Sequence, residues 1–211
     1  MSLCFPPVAL WPLAFVAVAP LLWLLRTVRP GPGALLGFAY GIAGYGITLS
    51  WIDRFGTGAW VALTVLCALS TALLGLLAPL VLRSARPVVS AVGFAGLWTL
   101  VDFARGAWPF GGFTWGALGI SQADNRSTLR LASITGVWGV TFVIVLVNGL
   151  VLAAVVDGGG GWRRTGRLVL AVGAALAPGL VPFPTAVGRP VDIAAVQVDV
   201  RSARAPGDIA R

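Results

Sequence analysis

Apolar stretches long enough to cross a bilayer alternate along this chain with short connections that hold much of the charge. Uncharged runs cover residues 1–25, 30–52, 55–82, 87–101, 131–156 and 168–188. A helix rises about 1.5 Å per residue and the hydrocarbon core is about 30 Å thick, so roughly 20 apolar residues make one crossing. Five runs reach that length, and the run from Pro87 does so if its helix extends to Phe103. Backbone groups must be paired inside lipid, which leaves helices or closed barrels, and none of the runs alternates strictly. The pattern predicts an all-α polytopic membrane protein of about six transmembrane helices, over 8–26, 34–52, 58–82, 87–104, 134–156 and 167–184. Pro12, Pro20, Pro79 and Pro178 are placed to kink or end helices, since proline lacks the amide donor.

After Pro182 and Pro184 the pattern changes. Residues 191–200, VDIAAVQVDV, are β-branched with partial alternation, and the stretch to Arg211 is polar. This predicts the first strand of a soluble α/β domain, because a lone strand cannot bury itself. The chain divides into a multi-span membrane domain, 1–188, and the start of an incomplete extracytoplasmic domain, 189–211.

Composition agrees: 58% of residues are hydrophobic and 10% charged, with mean hydropathy +0.92. All 15 basic residues are arginine, and they set the orientation. Alternate connections carry Arg26 and Arg29, Arg83 and Arg86, then Arg163, Arg164 and Arg167, whereas the opposite ones mix Arg54, Arg105, Arg126 and Arg130 with Asp53, Asp102 and Asp124. The positive-inside bias makes the first set cytoplasmic, so both ends of this chain are predicted extracytoplasmic. No charge precedes Arg26, which argues for a retained first helix over a cleaved signal despite Ala17-Val18-Ala19. The net charge of +8 lies on no basic stripe with interleaved aromatics, which excludes nucleic-acid binding. Cys4 and Cys67 stand alone, so neither a disulfide frame nor a metal site is implied, and no cofactor is expected.

One segment departs from plain hydrophobic packing: WTLVDFARGAWPFGGFTWGALGISQ, from Trp98 to Gln122. Asp102 and Arg105, spaced i and i+3, can pair across one helical turn. They read either as an interfacial ion pair fixing the helix end, or as an Arg105 that meets a lipid phosphate while Asp102 holds it. Trp108, Phe110, Phe113 and Trp115 follow among Gly106, Gly111, Gly112 and Gly116. They form either an aromatic belt or a re-entrant loop lining a cavity for an acyl chain. Gln122 can orient a headgroup or carbonyl by hydrogen bonding. Asp102, Arg105, Phe113, Trp115 and Gln122 are therefore the candidate substrate-binding residues; none is a nucleophile, and no catalytic residue is expected in the chain.

The stretch FTWGALGISQ from Phe113 to Gln122 resembles the F-P-W-x-x-L-G-Y-x-Q stretch of bacterial apolipoprotein N-acyltransferases, and Trp98–Gly106 resembles their W-x-x-x-E-x-x-R-G. Phe5-Pro6-Pro7 to Trp11-Pro12, Gly37-Phe38 to Trp51-Ile52, Gly136 to Asn148 and Val196-Gln197 resemble further family elements in the same order. Asp102 stands where that family has Glu, Thr114 where it has Pro and Ile120 where it has Tyr. The resemblance implies transfer of an acyl chain from a phospholipid donor to the N-terminal diacylglyceryl-cysteine of a lipoprotein acceptor, at the bacterial plasma membrane. It also implies that the 189–211 segment opens a nitrilase-like domain, whose Cys thiolate takes the acyl group as a thioester with help from a Glu and a Lys.

This chain holds no Glu, Lys or His, so that triad cannot be assembled from it. The expectation is an N-terminal membrane-domain fragment, or a truncated or mis-started product, inactive by itself, with Arg105, Phe113, Trp115 and Gln122 bordering a lateral entrance for lipid. A second role stays open: a non-catalytic membrane anchor or activator of a polyprenyl-phosphate mannosyl synthase, with which related domains are paired. A transporter fits less well, because the ionisable residues fall at span ends and only Asn148 is polar near a span's interior.

Overall fold

The computed structural model describes residues 1–109, 111–156, 160–182 and 194, and every regular element among them is helical. The predicted strand over 191–200 and the second domain from residue 189 lie, Ala194 apart, outside the described residues. The helices are α1 (Ala14–Ala17), α2 (Ala19–Leu25), α3 (Pro30–Thr48), α4 (Thr57–Leu82), α5 (Pro87–Ala107), α6 (Arg126–Val156) and α7 (Gly161–Leu176). Three of them, α4, α5 and α6, are long and apolar enough to cross a membrane, at 26, 21 and 31 residues. The predicted count of six also needs Trp11–Leu25, α3 and α7. The first is broken, α3 has 19 residues and α7 has 16 with Arg163, Arg164 and Arg167 in its first half.

Proline and glycine account for most differences from the predicted boundaries. Pro20 lacks an amide hydrogen and its ring crowds the carbonyl of Val16, so the first helical stretch breaks at Val18. Asn148 of α6 repairs the break. Its Oδ1 accepts from the amides of Val18 and Ala19, both at 2.9 Å, and its Nδ2 donates to Ala14 O and Ile144 O, both at 2.8 Å. Pro79 by contrast sits inside α4, which continues through it to Leu82. Helix α6 starts at Arg126, eight residues before the predicted 134, and it kinks at Gly136, where φ is 65°. At its far end α7 stops at Leu176, short of the predicted 184, because Pro178 falls in a 3-10 turn.

Close backbone contact joins α3 to α4. A Cβ on Gly33 would meet the Gly75 carbonyl and one on Gly75 would meet that of Gly33, so neither position has room for a side chain. Such small-residue contacts let helices associate where lipid removes the hydrophobic drive between them. The main core gathers Ala14, Leu22, Leu74, Phe94, Trp98 and Ile144 from α1, α2, α4, α5 and α6, with Val18 from the break between the first two. The outside is apolar too: Leu69, Leu80, Leu100 and Val155 are exposed on the long helices. Patches of that kind are unfavourable in water but match hydrocarbon.

Helix polarity defines two ends. The amino-terminal segment, the 3-10 turn Ser50–Phe55 and the 108–125 loop gather at one, the α2–α3 and α4–α5 connections at the other.

Candidate functional site

Asp102 and Arg105 lie on the last turns of α5 and are buried, at 4% and 5% exposure. A helix places i and i+3 on one face, and Arg105 Nη2 sits 2.8 Å from Asp102 Oδ1, with Nε at 3.3 Å. The remaining terminal nitrogen reaches into the loop. Arg105 Nη1 donates to Phe113 O at 2.6 Å and to Trp115 O at 3.0 Å, while the guanidinium lies 5.3 Å from the centre of the Tyr45 ring and its Nη1 3.9 Å from Cys67 Sγ. One side chain thus ties α5 to the loop and lies against α3 and α4. Burying such a charge is tolerable only when its donors are occupied, and the carboxylate and two carbonyls occupy them here.

The loop turns back over the end of α5. Phe113 N donates to Arg105 O at 2.9 Å, closing the reversal. Gly112 makes it feasible: its φ is 85°, and a Cβ there would run into the Gly106 carbonyl. Phe113 is half-buried against the cluster of Tyr45, Leu49, Ile52 and Cys67. Trp115 points outward instead, 57% exposed, with its ring 5.0 Å from that of Trp51. Beneath this pair lies a cavity of about 410 Å³ whose lining includes Phe5, Leu49, Trp51, Thr114, Trp115 and Ile120.

Gln122 stands apart from that cavity and is 1% exposed. Its Nε2 donates to Trp11 O at 3.0 Å and to Ser121 Oγ at 3.1 Å, and its Oε1 accepts from Asn125 Nδ2 at 3.1 Å. These bonds fasten the loop to the amino-terminal segment. Of the five candidates, then, Asp102, Arg105, Phe113 and the Trp115 backbone come together, while Gln122 lines a separate hollow with Gly119, Thr128 and Val140. The polar atoms of Arg105 and Gln122 are engaged with protein partners: the guanidinium with Asp102 and the carbonyls of Phe113 and Trp115, the carboxamide with Trp11, Ser121 and Asn125.

Tyr45, and Phe5 and Trp51 on the cavity wall, were not among the candidates. Only long-range folding brings them to the loop, although Tyr45, one of two tyrosines and set in a glycine-rich helix, is a recognisable oddity. Cys67 is fully buried, as a small core residue would be. Cys4 is buried too, and burial pushes its thiol up, opposed in part by the terminal ammonium.

Fold and site together define a helical membrane domain with a buried arginine clamping an aromatic loop over an apolar cavity. The N-terminal domain of apolipoprotein N-acyltransferase matches residues 1–150, and the chain belongs to that family. Among similar proteins are the apolipoprotein N-acyltransferases of Photobacterium profundum, 36% identical over 168 residues, and Geobacter metallireducens, 32% identical over 167. These alignments cover 74% and 75% of this chain and 32% of each relative. That of Haemophilus ducreyi is 29% identical over 207 residues, 94% of this chain and 40% of the relative. The chain therefore spans roughly a third of the length of the curated relatives it matches. It is a bacterial membrane protein.

Proposed function

We propose that this chain is the membrane domain of an enzyme that moves an acyl chain from phospholipid to the N-terminal diacylglyceryl-cysteine of lipoproteins. In this reading its aromatic loop guides the lipid. The observation that carries it is the cavity of about 410 Å³ under the Trp51–Trp115 pair, apolar in its walls and open beside an exposed indole. Each methylene taken into such a space gains about 0.8 kcal/mol in water but little against hydrocarbon, so selectivity comes from shape and from the wet indole N–H. Trp115 and Phe113 contact the chain or frame its path; Asp102, Arg105 and Gln122 are positioning residues that keep the loop over the cavity.

The reading takes six crossings, both ends extracytoplasmic and the loop on the outer face. It assigns the acyl-transfer chemistry to a nitrilase-like domain joined after residue 188, because the thioester route needs Glu and Lys and the chain has neither. By itself the chain is inactive. The test joins it to a catalytic domain of a relative and measures acyl transfer at limiting phospholipid. Trp115→Ala is expected to raise KM for the donor about tenfold, the equivalent of 1.4 kcal/mol; an unchanged KM rejects the guiding role.

A further inference from the structure

The end of the bundle opposite the aromatic loop holds a second hollow, of about 250 Å³. Arg26, at the end of α2, and Ser84 and Ser90, beside the α4–α5 turn, line it above a floor that includes Leu22, Leu82 and Leu152. A second guanidinium reaches its edge, since Arg167 Nη1 donates at 2.6 Å to the carbonyl of Ala153, which also lines the hollow. The wall is tied by its own bonds: Arg86 N donates to Ser84 Oγ at 3.2 Å and Ser90 Oγ to Ser84 O at 3.4 Å. Ser84 Oγ is an acceptor there, which leaves its hydroxyl hydrogen as a donor towards a bound group.

Charge selects the ligand. In the sequence, the connections at this end and the first two turns of α7 carry Arg26, Arg29, Arg83, Arg86, Arg163, Arg164 and Arg167 against Asp157. A guanidinium matches a phosphate in both charge and fork geometry, and basic pockets between membrane helices at the polar boundary accept anionic headgroups. The floor supplies the other half of an amphiphile's requirements. We propose that this hollow binds the phosphodiester of an anionic phospholipid, with Arg26 as its main cation, Ser84 donating to a phosphate oxygen, and the leucine floor under the first methylenes of an acyl chain. A zwitterionic lipid fits poorly, because its ammonium would meet an excess of arginine. The site lies at the other end of the helices from the aromatic loop and does not depend on the acyl-transfer reading.

The intact chain in detergent micelles tests this by native mass spectrometry with phosphatidylglycerol and, separately, phosphatidylcholine. Retention of phosphatidylglycerol alone is expected, weakened about fivefold by Arg26→Gln and less than about twofold by Arg29→Gln, a charge outside the hollow. Equal retention of both lipids, or equal losses in the two variants, overturns the proposal. Should Arg26→Gln not fold, Ser84→Ala decides: about threefold weaker retention supports the site, unchanged retention rejects it. Inorganic phosphate alone is expected to leave Tm unchanged; a rise matching that with phosphatidylglycerol would make the ligand free phosphate and overturn the lipid assignment.

Discussion

Arg105 concentrates more of the local order than any neighbouring side chain, and its spacing from Asp102 was readable because a helix fixes what lies three residues on. Its bonds to the carbonyls of Phe113 and Trp115 were not readable, since a carbonyl leaves no mark on the residue that carries it. Removing one partner of a buried pair strands the other charge. Asp102→Asn is expected to cost about 3 kcal/mol or more in unfolding experiments in micelles, and the joint Asp102→Leu, Arg105→Met replacement less than the sum of the single changes. Gly112→Ala puts a side chain at a φ of 85° and against the Gly106 carbonyl, so a loss of about 1–3 kcal/mol should appear in the same assay. Cys4 gives a pH-dependent readout. Its raised thiol pKa leaves less thiolate, so alkylation at pH 8 should be slow in the folded protein and reach a free cysteine's rate only on unfolding, or as pH rises through the raised value.

Elements were legible where apolar length alone decides them and illegible where backbone detail does. The long uncharged runs located α4 and α5 to within a few residues. The start of α6 was missed because Arg126 to Ala132 is polar on one side only and packs on the loop turn Leu118–Gln122, a contact absent from local sequence. Asn148 stood out in the sequence only as a polar residue near a span's interior; that it splices a broken helix depends on a contact some 130 residues away. Because its carboxamide serves Ala14, Val18 and Ala19 at once, Asn148→Leu should cost about 2 kcal/mol, above the usual single hydrogen bond in membranes. Asn148→Asp, which retains the acceptor for Val18 and Ala19, tests the same point: protease cleavage near residue 18 should rise more in the leucine variant.

For the molecule as a whole, an apolar exterior and the split of arginines between two ends make orientation the property to measure. With Cys4 and Cys67 replaced by alanine, an impermeant thiol reagent applied to right-side-out vesicles should label Asp124→Cys and spare Arg29→Cys and Arg86→Cys; the reverse pattern would invert the proposed topology. The arginine clamp also bears on how readily this domain can be re-tuned. It grips main-chain oxygens, which every residue type supplies, so these two bonds do not depend on which side chains stand at 113 and 115. Threonine at 114 and isoleucine at 120, where the resemblance leads one to expect proline and tyrosine, both line the cavity. Scaffold and contact surface are thus separate variables, and a different lipid preference can be written on the second while the first stays fixed.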